Sequence, residues 1–453
     1  MKQIGSARGL TASAALCVAL TAGALTLDVA EFGAKPDGES DSTAAIQKAI
    51  DSCSERGGGR VVVSGGGAYV TYTLQLKSNV ELHIDRGAIL RGGTDPLKYP
   101  EFTPTEVWNA ERAPRFNRRA MFYTVGQTNV AITGAGTIDG NAEKFHHRTG
   151  KKNWTGLDWW RKSDTNITGR CVFFVGCRDV RLDDVLIYHP SGWSTWFLDC
   201  DRVGVRGVRI EADFRFPNGD GLHFGGCRDV TVSDCVIDSQ DDSIIIRTHQ
   251  EQMKKPRPCE RVAVNNCILR SASAFAIRIG YTGDGPVRDI AFCNIVCPHS
   301  KAGVGITLPP EPKPPKEYMD PPRGRGLVPP PLSERLPFHA ENILFSNMEI
   351  VSDTVPVSLT IGDTERVDFI RNISFSHCRF KSAAPPYVHC RQADNVGDWS
   401  FNDVTFRISE SPKDGTVSGP RECKPGDFFS NVSNFEFENV RVKHVGTATV
   451  DFE

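Results

Sequence analysis

One phrase recurs along the chain, and it constrains the fold more than any other feature. CRDVRLDDVLI begins at Cys177, CDRVGVRGVRI at Cys200, CRDVTVSDCVI at Cys227 and CERVAVNNCIL at Cys259, separated by 23, 27 and 32 residues. Looser copies start at Ser78, Thr128, Arg288, Glu341, Arg371 and Ser433. Each copy alternates apolar and polar residues, the period of a strand with one buried face. A second short strand accompanies the repeat at 171–175, 194–198, 221–224, 243–247 and 275–279. Two or three short strands per unit, joined by loops of variable length, predict an all-β parallel solenoid rather than a sandwich or propeller. Coils of such a fold stack at about 4.8 Å, and equivalent residues form ladders.

This register explains half of the 14 cysteines. Cys177, Cys200, Cys227 and Cys259 fall on one ladder, and Cys235, Cys267 and Cys378 on another. They read as small apolar fillers of a narrow core, although vertical neighbours are close enough to consider disulfides. No pair of CxxC motifs faces another, so a thiolate metal site is not expected. The first coil of a solenoid must be covered, because it would otherwise expose strand edges. Thr43 to Cys53 is amphipathic, with Ala44, Ile46, Ala49 and Ile50 apolar and Asp41 or Ser42 available as a cap. It is expected to be a helical lid.

Residues 1–24 read as a secretory signal. Lys2 and Arg8 precede an apolar stretch from Leu10 to Leu27, and Ala22-Gly23-Ala24 offers a small-x-small cleavage site. An uncleaved membrane anchor is the alternative reading. Residues 25–453 then form one domain, secreted or periplasmic and expected to be a monomer, with no other segment able to span a bilayer. Residues 308–337 interrupt the repeat with eleven prolines and Arg323, Arg325 and Arg335. They cannot join a strand ladder, and form either a surface loop or a wall of a cleft. If the loop closes one end of that cleft, cutting from chain ends follows. Lys+Arg 53 against Asp+Glu 55 leaves a formal charge of -2. That gives no bulk electrostatic reason to bind nucleic acid or a membrane surface.

The chemistry concentrates in Asn218-Gly219-Asp220-Gly221 and Gln240-Asp241-Asp242-Ser243. Asp220 and Asp242 each stand just before a coil strand, one coil apart, with Asp241 beside them. Three carboxylates so close cannot all ionise freely, so one is expected to hold its proton to higher pH. A protonated acid beside ionised bases suits cleavage of a glycosidic bond. Calcium binding and simple turn chemistry fit the same residues on spacing alone.

At these residues the chain resembles glycoside hydrolase family 28, the polygalacturonases and their relatives. FGAKPDGESDSTAAIQKAIDSC, GGGRVVV and TLQLKSNVELHI are similar to the family's opening, and GAGTIDG (134–140) and DWWRK (158–162) to its next blocks. The resemblance covers nearly all of residues 25–453. It implies a right-handed parallel β-helix and hydrolysis of a pectin-related polysaccharide or oligosaccharide with inversion, without cofactor or metal. By resemblance Asp241 is the general acid, and Asp220 with Asp242 activates water. Inversion would place the carboxyls roughly 6.5–9.5 Å apart. Asn218 opens the family's Asn-Thr-Asp block and is carried over as a substrate contact.

Two departures bear on specificity. Ala274-Phe275-Ala276 stands where the family has Gly-His-Gly, and Gly305-Ile306-Thr307 where it has Arg-Ile-Lys. Arg278 shares a ladder column with Gly305, and Arg247 shares one with Thr307. Both arginines are therefore expected to contact substrate, the alternative being that each pairs with a nearby Asp. His223 and Trp196 lie in the column of Arg278, one as a hydroxyl partner and the other as a sugar platform. Tyr281, just past that strand, is a further contact. Two other functions remain open: a calcium-dependent lyase with metal on the three carboxylates and Arg278 as base, and a glycan-binding solenoid without catalysis.

Overall fold

The computed structural model describes residues 25–110, 118–153, 156–162, 170–281, 283–308, 336–362, 366–389, 395–409, 429–430, 433–444 and 450–452. Residues 1–24, which the sequence reads as a secretory signal, and all but the edges of the proline-rich insertion lie outside them. Strand follows strand in parallel register through a single helical sheet. The repeated phrases stack on one face, so that Val180 pairs with Val203, Val203 with Val230, Val230 with Val262 and Val262 with Ile290. A second face stacks Leu186–Tyr188, Arg209–Glu211 and Val236–Ser239. A third stacks Ala120–Val125, Arg170–Val175, Thr195–Leu198, Leu222–Gly225 and Ile244–Arg247. Three later strands, among them Cys259–Ile279 and Val287–Leu308, run on through the corners.

Alternation puts every second side chain into a core one residue wide, where like stacks on like. Phe174, Phe197 and Phe224 are parallel at 5.8 and 5.3 Å, and Phe292, Phe345, Phe375, Phe401 and Phe437 form a longer column. The two cysteine ladders fall where the register placed them, all seven buried and, like the other described cysteines, not disulfide-bonded. Two residues after each cysteine of the first ladder, and after Val287 on the next coil, the chain turns through a single left-handed residue. Asp179, Arg202, Asp229, Arg261 and Asp289 there have φ of 54–57°, a left-handed conformation that Asp tolerates better than Arg. The two arginines are held by the acids one coil away, Arg202 by Asp179 and Arg261 by Asp229.

The lid is a helix over Thr43–Glu55. Its buried stripe is Ile46, Ala49, Ile50 and Cys53, packed in one core with Leu27, Val29 and Val61. Ala44 is exposed, because the 3.6-residue period carries that position past the stripe. Asp41 takes the first free amide, that of Thr43, at 3.0 Å, while the Ser42 hydroxyl accepts from Lys35 instead. No helix of the described residues is long and apolar enough to cross a membrane.

Candidate active site

Consecutive coils bring four turns to one edge of the third face. The turn before Thr195 carries Trp193, the next carries Asp220, the next Asp241 and Asp242, and the last Phe275. Backbone bonds lock them in register: Ser194 N–H to Asp220 O, Gly221 N–H to Asp242 O, and Ser243 N–H to Phe275 O, at 2.9, 2.9 and 3.0 Å. Trp193, Asp220, Asp242 and Phe275 thus share one column, two carboxylates between two aromatic residues. Gly221 permits the close stacking, since a Cβ there would lie 2.1 Å from the Ser243 carbonyl oxygen.

One carboxylate oxygen from each of Asp220, Asp241 and Asp242 lies within 4.8 Å of the others. The limit refers to the nearest oxygens, one per residue, and fits turns stacked one coil apart. Asp220 and Asp242 are buried and Asp241 is half-buried. Burial, then the charges of Asp220 and Asp242, hold the Asp241 carboxyl well above the usual carboxylate range, against the pull of Arg278. Asp242 accepts from the Phe275 amide at 2.9 Å and from Arg278 at 2.8 Å, one donor on each oxygen. His223 Nε2 lies 3.1 Å from Asp220 Oδ2. Burial, and next the nearby Arg247, hold the His223 imidazole neutral, so its Nε2–H tautomer donates to Asp220.

His223 therefore orients Asp220, rather than standing open to a sugar hydroxyl, and its ring stacks on Trp193 at 4.0 Å. Arg278 realises the alternative foreseen for it. It pairs with Asp242, donates to Thr307 Oγ1 at 2.8 Å, and lies against the rings of Phe275 and Tyr281. Arg247 is not a surface contact. It is buried in a two-bond pair with Asp284 and lies near Glu251, covered by the 248–258 insertion. Tyr281 is 36% exposed and covers both arginines. Asn218 is half-buried with φ of 59°, two residues before Asp220.

Trp196 does not face a cleft. Trp108, Phe173 and Trp193 pack around it, and its indole N–H reaches His249 at 3.3 Å. The cause is a wall that the periodicity could not reveal. Residues 102–110 cross the outward column of Tyr123, Phe173 and Trp196, with Phe102 stacked on Tyr123 at 4.0 Å. Trp108 pairs antiparallel with Met253, and Asn109 N–H bonds to Gln252 O. The two insertions thereby close the column on its N-terminal side. The returning end of the proline-rich segment is tied to the same insertion, where Gln250 bonds both ways with Leu336.

Phe275 and Gly305 explain each other. A Cβ on Gly305 would lie 2.4 Å from the Phe275 ring, which occupies the volume a side chain at 305 would need. The replacements at 275 and 305 are thus one packing arrangement, while Thr307 accepts from Arg278. Sequence reading missed Trp193 and Arg170, whose buried guanidinium lies 4.5 Å from the Trp193 ring and 3.7 Å from that of Trp196. The turn equivalence of Trp193 and Asp220 was the available signal. A surface groove of about 810 Å³ lies apart from these residues, between Glu81, His83, Arg181 and Asp183. Its charges pair with one another, as Arg209 does with Glu211, and do not converge on a common point.

The donor set suits proton transfer better than calcium. Calcium takes six to eight oxygen ligands. Here a guanidinium and an amide occupy Asp242, and an imidazole occupies one oxygen of Asp220.

Residues 106–306 match the model of the glycosyl hydrolases family 28, and residues 26–94 match a rhamnogalacturonase A/epimerase, pectate lyase-like model. The chain is 27% identical over 304 residues to an exo-poly-alpha-D-galacturonosidase of Dickeya chrysanthemi, covering 60% of this chain and 50% of that protein. It is 24% identical over 298 residues to a probable polygalacturonase of Vitis vinifera, covering 64% and 58%. It thus spans between half and three fifths of the length of these curated relatives. The fold is shared with an exopolygalacturonase of Thermotoga maritima at a TM-score of 0.68 and 20% identity, over 95% of this chain and 94% of that one. The matched model, the ordered sequence blocks and the β-helix agree on one likeness, and over residues 106–306 the chain is similar to glycosyl hydrolase family 28.

Proposed function

We propose that this protein hydrolyses α-glycosidic bonds in a uronic-acid-containing, pectin-related glycan, with inversion. One observation carries the reading: Asp241 lies within 4.8 Å of two carboxylates that accept N–H donors, an arrangement that favours its protonated form. Asp241 gives that proton to the leaving oxygen. Asp220 and Asp242 take a proton from water on the other face of the sugar. Retention would need a carboxylate nucleophile. Both oxygens of Asp242 are engaged and Asp220 is bound to His223, which favours water activation over direct attack. The closed N-terminal side of the column supports removal of units from a chain end, the action for which two of its relatives are named.

The test is incubation with pectic and other acidic polysaccharides, with products weighed by mass spectrometry and the first anomer followed by NMR. Short saturated products carrying one added water, with inverted configuration, are expected, and Asp241→Asn should abolish them. Unsaturated products sensitive to chelator would replace the reading with a lyase, and binding without turnover would replace it with a glycan-binding solenoid. Export rests on the apolar stretch between Lys2 and Leu27. Finding the protein outside the cytoplasm with its N-terminus near Leu25 would establish it.

A further inference from the structure

The block DWWRK has no part in breaking the bond. It forms the second strand of a hairpin, Asp158–Lys162 antiparallel to His146–Lys152, which among the described residues is the one sheet outside the solenoid. Residues 144–162 contain Lys144, Arg148, Lys151, Lys152, Arg161 and Lys162 against the single acid Asp158, and three of the seven tryptophans. In a chain of formal charge -2 this is a local excess of positive charge.

Its position gives that charge a use. The hairpin occupies the turn between strands Thr137–Asp139 and Arg170–Val175. Those strands pair with the ones flanking Trp193, and the next turn carries Asp220. It is therefore the equivalent turn two coils before Asp220, on the edge that carries the carboxylates. Trp160 N–H bonds to Arg215 O at 3.2 Å, the Asn153 amide to Phe214 O at 2.9 Å, and His146 stacks on Phe216 at 4.8 Å. The hairpin is thus fixed to the segment that leads into Asp220. Within it Asp158 is shared by Arg148 and Lys152, whose side chains remain 64% and 67% exposed, and Lys144 and Lys151 are exposed as well. The guanidiniums of Arg148 and Arg215 each lie 5.8 Å from the Trp160 ring.

We propose that this hairpin is an accessory subsite for carboxylate-bearing sugars, holding a uronate oligosaccharide beside the cleavage site through Arg148, Lys151 and Lys152. The inference rests on the hydrolase reading and adds where the negative charge of the substrate is read. Arg278 and Arg247 are largely buried on protein carboxylates, whereas Arg148 and Lys152 share the one carboxylate of Asp158 at the surface and leave a net positive charge there; Phe275, Gly305 and Thr307 bring no cation. Arginine binds a carboxylate through paired hydrogen bonds, and exposed lysines add attraction that salt weakens.

The experiment measures binding of hexagalacturonate and of its fully methyl-esterified form to the full-length Asp241→Asn protein by calorimetry, at low and high salt. The same titrations use Asp241→Asn carrying Arg148→Ser, Lys151→Ser and Lys152→Ser, which alter only exposed side chains. An unchanged thermal transition shows that the fold is kept. Tighter binding of the charged form, weakened by salt and reduced about tenfold by the triple change, is expected. Equal binding of the two ligands, or no loss in the triple variant, overturns the proposal. Wild-type turnover is read separately. If nothing is hydrolysed but the triple variant still loses hexagalacturonate, the catalytic reading falls and the subsite stands.

Discussion

Replacing Asp241 by Asn should abolish turnover and at the same time stabilise the protein at neutral pH. The folded Asp241 carboxyl titrates well above its ordinary range, so folding holds a proton that the unfolded chain releases near pH 4. Below pH 4 both states are protonated and the residue costs nothing. As pH rises from there toward the folded value, the unfolded state gains about 1.4 kcal/mol per unit relative to the folded one. The scale of the effect follows from the 4.8 Å limit between the carboxylate oxygens. At an effective dielectric constant near 20, one like charge at that distance contributes about 3–4 kcal/mol, before Arg278 offsets part of it. Asparagine keeps the shape and has no proton to lose. A stabilisation of about 1–3 kcal/mol at pH 7, vanishing near pH 4, is expected in paired urea unfolding curves. Loss of the general acid should lower kcat by about 10²–10⁴-fold. A variant that is dead but equally or less stable at pH 7, or whose advantage does not grow between pH 4 and pH 7, would refute the elevated carboxyl.

Three further outcomes follow from the geometry. Arg278→Met removes the cation that draws the Asp241 carboxyl down, so the pH–rate profile should move toward higher pH on its basic limb, with a loss of about 2–4 kcal/mol in stability; an unmoved basic limb would exclude Asp241 as the acid. Gly221→Ala places a methyl group 2.1 Å from the Ser243 carbonyl oxygen, and should destabilise by about 2 kcal/mol or more, read as a lower thermal midpoint together with weakened activity. Trp108→Ala opens the wall over Trp196, at a cost of about 3–5 kcal/mol. Its digests of a long polymer should show longer early products than wild type, and an unchanged product ladder would remove the wall from the account of end-cutting.

The stacked solenoid, its register, both cysteine ladders and the nearness of Asp220 and Asp242 were legible in the sequence. The physical reason is that a parallel coil repeats its environment. A phrase that returns must bury the same face, and equivalent positions must lie one strand spacing apart. What lies outside the repeat carries no such constraint. Periodicity puts Trp196, Arg247 and Arg278 on the outward side of their strands, yet it cannot say what covers them. Residues 102–110 bury Trp196, the 248–258 insertion and Asp284 take Arg247, and Asp242 takes Arg278. The joint loss of the histidine and of the arginine at 275 and 305 read as two departures. In three dimensions they are one, because the Phe275 ring fills the volume above Gly305. Outward direction is a local property of the strand, whereas exposure depends on loops distant in sequence, and only the packed chain decides it.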